Sequence, residues 1–310
     1  MHQPKISALT AVACLVAGAV HLWAAQRSAP GVPASMVVTL EPKHGKTIPQ
    51  IDPSDIKVTE ANEPRPITGL ETLRGGKMQL LLMIDDSARA SLDTELQTIK
   101  QFVTSLPAYI EIAIGYMRNG MTEVVQNFTS DHAAAANNIR VATGTPGSDV
   151  SPYDSLSDAI KKWPKPGAQR REVIMISSGI EALGGGFAPD NPYVNKGIEE
   201  AQRAGVVVYA VYNPSSGHFG HTFWRETWGQ NFLSQLSDET GGEAYITTIG
   251  PPVTFQPYLE NIRAQFDNQY LLTFLARPEK KSGLQPVKVR IIEKDADIAA
   301  PDRVYIKASL

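Results

Sequence analysis

Cysteine is nearly missing from this 310-residue chain: the only one is Cys14, inside an apolar run near the N-terminus. A chain without a second cysteine forms no internal disulfide, and one that loses residues 1–25 offers no thiolate for catalysis or metal binding. Excess charge is also lacking. The formal net charge is -3, and no basic stripe stands out in the sequence, so an electrostatic nucleic-acid binder is not expected. No G-x-G-x-x-G follows a strand-like run and no Walker lysine loop occurs; "GGG" at 184–186 lies in a long loop and not at a helix start. Dinucleotide and phosphate chemistry are therefore not expected. A G-x-S-x-G nucleophile elbow is missing too. Internal repeats and low-complexity tracts are likewise absent.

One long hydrophobic run is present. "MHQPK" is a short basic start, "ISALTAVACLVAGAV" is an apolar stretch, and "HLWAAQRSAPGVPAS" follows with small residues, Pro and Gly. This is the layout of a secretory signal peptide ending near Ala25 or Ala34. The same run, Ile6 to Ala25, is about long enough to stay in a bilayer as an anchor. The expectation is export to a periplasmic or secreted location, with membrane contact only through this segment. Cys14 is followed by "LVAGAV", so it does not sit where a lipid-bearing cysteine ends such a run.

Beyond it the texture is globular, with 42% hydrophobic residues. Residues 36–75 read as a small β unit of short, proline-flanked strands. "MQLLLMI" and "VVVYAVY" are continuous apolar runs of strand length, expected of strands buried on both faces. "SLDTELQTIKQFVTSL" places Leu92, Leu96, Ile99, Phe102, Val103 and Leu106 at helical spacing. "IEIAIGYM" and "TEVVQNFT", joined by "RNG", read as a hairpin. The helix in "SDHAAAANNIRVA" starts at Ser130 or Asp131, and that in "YVNKGIEEAQRAG" ends at a glycine. Strands and helices alternate as far as "QYLLTFLA". The expected fold is therefore α/β and Rossmann-like. It has a doubly wound, mostly parallel sheet with one antiparallel edge hairpin (residues 76–276). Residues 277–310 form a C-terminal β extension expected to pair with 36–75.

Ligands of such sheets sit beyond the carboxyl ends of the parallel strands. The loops expected there are "DDSARA" (85–90), "GSDVSPYD" (147–154), "SSGIEALGGG" (177–186) and "NPSSGHFGHTFWRETW" (213–228). A buried strand ending in Asp-x-Ser, a hairpin, "YDSLSDAI", "REVIMISSG" and "EEAQRAGVVVYAVY" together resemble a von Willebrand factor type A domain. With "PKHGKTIPQIDPSDIKVTEANEPRPI" before and "LSDETGGEAY" after, the chain from about 36 to 310 is most similar to the VWFA-related domain family described largely from acidobacteria.

This resemblance implies a protein-binding role rather than catalysis. It also implies a metal-ion-dependent adhesion site built from Asp-x-Ser-x-Ser, a Thr and an Asp, which give a hard cation its oxygen ligands. The match is partial. Asp85 and Ser87 fit the first two positions, but Arg89 replaces the second serine. Val150 stands at the threonine position with Ser151 beside it, and Ser178 stands where the third-loop aspartate belongs. Asp86 and Asp149 are possible helpers, and Arg89 is a possible partner for Asp85.

The expectation is a non-enzymatic module with a degenerate metal site and no cofactor. Asp85, Ser87, Arg89, Ser178, His218, Phe219, His221 and Trp224 would meet a protein or peptide partner. One alternative is an altered Mg²⁺ site on Asp85, Ser87 and Ser151. Another is a hydrolase using Ser87 or Ser178. His218 and His221 lie three apart with Glu226 near, short of a zinc set in sequence. "NFT" at 127–129 is read as a chance glycosylation match, and "RPEKK" at 277–281 as a solvated turn.

Overall fold

The structure is a computed structural model that describes residues 31–43, 47–144, 151–165, 170–182, 190–213, 223–246 and 254–308. The apolar N-terminal run, Asp149, Val150, the glycine triplet and His218, Phe219 and His221 lie outside the described residues.

In chain order the elements begin with β1 (Val32–Pro42), β2 (Ile56–Glu60), β3 (Glu63–Arg65) and β4 (Ile67–Thr72). Then come β5 (Met78–Asp85), α1 (Arg89–Thr104), β6 (Ile110–Arg118), β7 (Met121–Thr129), α2 (His132–Asn137) and α3 (Pro152–Lys162). They continue with β8 (Arg170–Ser177), α4 (Pro192–Ala204), β9 (Val206–Tyr212), α5 (Phe223–Thr240), β10 (Ala244–Tyr245) and α6 (Gln256–Phe266). The last are β11 (Gln269–Ala276), β12 (Gly283–Pro286), β13 (Lys288–Ile291), β14 (Ala296–Ala299) and β15 (Arg303–Ile306).

The central sheet has the order β10-β9-β8-β5-β6-β7. All its pairings are parallel except β6–β7. It is the expected doubly wound sheet with one antiparallel edge. Every residue of β5 is buried. The pleat sends Leu80, Leu82 and Ile84 to a core that includes residues of α1, α2 and α6, and Leu81 and Met83 to one shared with α3, α4 and α5. Burial on both faces is why the run carries no polar alternation. The β6–β7 hairpin turns at Asn119 and Gly120, both at positive φ (52° and 70°), as a two-residue turn matched to strand twist requires. Gly205 ends α4 in the left-handed region, φ 64°. Asp131 caps α2, its carboxylate accepting the Ala134 N–H.

Two expectations change. The strand "QYLLTFLA" leaves the parallel sheet: β11 pairs antiparallel with β1 and with β4 in a second sheet, ordered β14-β1-β11-β4. Its burial tends to alternate, unlike that of β5, so only one of its faces is fully apolar-packed. Helix α5 also starts earlier than its C-terminal apolar pattern suggests, at Phe223, so Trp224 and Trp228 are helical and not in a loop. The C-terminal segment does join the N-terminal one: β14 pairs with β1 and β13 with β2. Together they enclose a separate core that includes Val38, Leu40, Ile56, Val58, Leu272 and Phe274.

This β unit meets the amino-terminal end of the parallel sheet at Arg170, the first residue of β8 and 1% exposed. Its guanidinium donates to Gln269 Oε1 (2.5 Å), Leu73 O (3.2 Å) and Phe266 O. Glu172, fully buried two residues on, lies 3.6 Å from Arg170 Nε, and among the described residues neither of its oxygens has a partner within hydrogen-bond geometry. Burial pushes the Glu172 carboxyl up to about 7, against the pull of Arg170. The fold therefore prefers it protonated. Its contribution to stability is complete below the ordinary pKa of 4.5 and is lost as pH rises through about 7. The loss is on the order of 3 kcal/mol. Denaturant unfolding from pH 5 to 8 should show this fall, and Glu172→Gln should flatten it. An unchanged slope in the variant would rule out Glu172 as the source.

Candidate functional site at the carboxyl ends of the strands

The chain goes from β5 to β6 on one side and, after the β6–β7 hairpin, crosses to β8 on the other side of β5, so the topological switch point lies between β5 and β8. Asp85 ends β5 and Ser177 ends β8, with Ile84 and Ile176 paired just before them. Asp85 is 2% exposed, and its Oδ1 accepts both the Ser87 N–H (2.8 Å) and the Ser87 hydroxyl (2.6 Å). This is an Asx turn, in which a short carboxylate imitates a backbone acceptor and shapes the exit from the strand.

Asp86 does not help Asp85. It is fully buried and accepts from Arg140 Nη1 (2.6 Å), from the Thr143 N–H (3.0 Å) and from Arg118. Its backbone also accepts from Gly144 N and donates to Met117 O. Burial alone would raise its carboxyl, but the Arg140 hydrogen bond, the Thr143 N–H and the charges of both arginines outweigh it, so the pKa is lowered. Arg140 in turn lies 3.9 Å above the Tyr116 ring. Asp86 is thus committed to tying the β5–α1 turn to β6 and to residues 141–144. Sequence proximity pointed to Arg89 as the neighbouring cation; Arg89 opens α1, and its side chain lies outside the described residues.

Ser151 caps α3, accepting the Asp154 N–H at 3.0 Å, and donates its hydroxyl to Glu181 Oε2 at 2.6 Å. Both residues are buried. Glu181 was missed by the sequence reading; its signal is an acid four residues after the end of β8, two past the Gly179 turn. The Ser151–Glu181 bond joins the second loop to the third. Ser178 is 6% exposed, and Ser177 O accepts the Asn213 N–H (2.9 Å), tying in the end of β9. Gly179 has φ 68°, and a Cβ there would lie 2.3 Å from Gly229 O of α5. Backbone thus packs directly on backbone, which seats α5 beside the third loop.

Five residues before Gly229 on that helix, Trp224 is 69% exposed. Trp228 is instead packed, its ring 5.8 Å from Phe232. The structure therefore brings Asp85, Ser87, Ser151 and Ser178 to one end of the sheet, adds Glu181, and leaves Trp224 outward. The donor set fits a divalent cation poorly. The Asp85 oxygen that faces Ser87 already accepts two hydrogen bonds, Ser151 is spent on Glu181, and Ser178 stands where the resemblance expects an aspartate. Among the described residues, no group of three or more His, Cys, Asp or Glu is placed to hold a metal ion.

No family model matches the chain, and no curated protein matches it. Solved structures do. The chain is similar to BatB of Bacteroides thetaiotaomicron at 14% identity, with 62% of this chain and 97% of that chain covered and a TM-score of 0.43. It is similar to the ArnB paralog VWA2 of Sulfolobus acidocaldarius at 11% identity, with 89% and 76% covered and a TM-score of 0.40. The SpRpn10 VWA domain matches at 11% identity, with 60% and 94% covered and a TM-score of 0.38. These likenesses are distant; the fold stands on the strand order and pairings above.

Proposed function

We propose that this chain is an exported, non-enzymatic von Willebrand factor type A-like module of the VWFA-related family. It binds a protein or peptide at the carboxyl end of its parallel sheet, with no cofactor and no regular adhesion metal. The observation that carries this reading is the self-satisfied pair of hydrogen bonds, Asp85–Ser87 and Ser151–Glu181, where an adhesion site would present ligands to a cation. Oxygen donors that already have partners inside the protein must lose them to bind Mg²⁺. The exposed Trp224 supports a partner surface, since tryptophan is enriched among residues that dominate binding energy.

A ligand that binds only the native state raises its apparent stability. Metal-stripped protein titrated with Mg²⁺, Mn²⁺ and Ca²⁺ to millimolar levels should therefore show no saturable rise in unfolding temperature. A rise that disappears in Asp85→Ala would replace this reading with the altered-metal alternative, and Glu181 would then be the first added ligand to test. Covalent labelling of Ser87 or Ser178 by a serine-reactive probe would favour the hydrolase alternative instead. Capture of a partner from envelope extract should fall in Trp224→Ala with no change in unfolding midpoint.

A further inference from the structure

The three-stranded sheet β13-β2-β3 turns one face to its core and one face outward. Val58 and Ile56 point in, paired with Val289 and Ile291. The alternate positions, Lys57 on β2 and Lys288 and Arg290 on β13, are exposed, as is Ile292 at 54%. Arg290 stands directly opposite Lys57 in the ladder. Like charges facing each other across two strands are destabilising. Among the described residues, none of these three cations is in an ion pair with an acid. The sheet thus presents a cationic face with an apolar residue at its margin.

This face lies near the point where the chain enters the fold. Val32 opens β1 and pairs with Ala276, and the next residue, Arg277, donates its N–H to Glu60 Oε2 at 2.7 Å. Glu60 ends β2, three residues from Lys57, about 10 Å along a strand. Only residues 26–31 separate Val32 from the apolar run ending at Ala25. Six residues reach at most about 21 Å.

We propose that this face, Lys57, Lys288 and Arg290, docks on an anionic phospholipid bilayer. Clustered cations next to an apolar segment are drawn to negative headgroups within a Debye length. The short connection cannot carry the fold far from the bilayer, so the face meets the headgroups without a long tether whenever the apolar run is in the membrane. The carboxyl end of the parallel sheet, at the far end of β8 from Arg170 and the β unit, is then left open to a partner.

The test is lysine acetylation footprinting of the full chain, read by mass spectrometry. The chain is placed with vesicles of neutral phosphatidylcholine, or of phosphatidylcholine with about a third phosphatidylglycerol. The proposal predicts that labelling of Lys57 and Lys288 falls at least threefold on the anionic vesicles and recovers at 0.5 M salt. Lys161, 62% exposed on α3, should be labelled equally in all samples. In Lys57→Gln/Arg290→Gln, protection of Lys288 should vanish while the unfolding midpoint stays the same or rises, as the opposed like charges are removed. Equal labelling on both vesicles, protection on neutral lipid as strong as on anionic lipid, or protection unchanged in the variant would each overturn it. None of these outcomes depends on the state of the site at Asp85.

Discussion

Arg170→Met should cost about 3–5 kcal/mol in denaturant unfolding at pH 7. The arginine is nearly completely buried and serves three acceptors from three segments: Leu73, Phe266 and Gln269. Methionine fills much of the volume but leaves two backbone carbonyls and one amide oxygen in need of donors, and it removes the cation 3.6 Å from Glu172. Because the lost bonds link β8 to β11, α6 and the residue after β4, the damage falls where the parallel sheet meets the β unit. Adding Glu172→Gln should recover part of the loss, since the uncompensated carboxyl disappears; the two changes will not be additive. A loss under about 1 kcal/mol for Arg170→Met would mean that water satisfies those carbonyls and that the guanidinium is not what joins the units.

Gly179→Ala should destabilise by about 2–4 kcal/mol, combining a left-handed backbone that alanine resists with overpacking. The added methyl would meet Gly229 O at 2.3 Å and Leu233 Cγ at 2.5 Å, so α5 must move. Gly229→Ala meets Ser178 O at the same 2.3 Å from the other side, without the positive φ, and should cost less. Both changes push the same helix away from the same loop, so the double variant should lose less than the two single losses combined. Unfolding curves of the three variants, followed by far-ultraviolet circular dichroism, would show this. Strictly additive losses would mean that the two glycines do not share one contact.

Much of the fold was legible because local chemistry and burial agree. A strand covered on both faces must be apolar throughout, so "MQLLLMI" and "VVVYAVY" declared themselves. The Asn119–Gly120 turn, the Asp131 cap and Gly205 each follow from a backbone geometry that few residues adopt. The site was legible in position and less so in content. Asp85, Ser87, Ser151 and Ser178 do gather beyond the strand ends, because a doubly wound sheet puts all these loops at one edge. Glu181 was not foreseen, because an acid four residues past a strand has no periodicity to mark it. The partners of Asp86 were unreadable for a similar reason: Arg118 and Arg140 lie 32 and 54 residues away. Helix α5 was placed too late because aromatic and charged residues obscure the apolar spacing of its first turns.

By itself the sequence determined the α/β class, the order of its elements, the parallel core strands and the edge hairpin, since propensity, turn chemistry and hydrophobic period are local properties. Tertiary structure alone decided that "QYLLTFLA" turns away to pair with β1 and β4. A strand's sequence shows which faces it can bury, not which neighbour will cover them. Tertiary structure alone also decided that Asp86 is bound by two arginines and that Ser151 meets Glu181. Charges and hydroxyls find partners through space, and where loops from separate strands converge, separation along the chain carries no information about who meets whom.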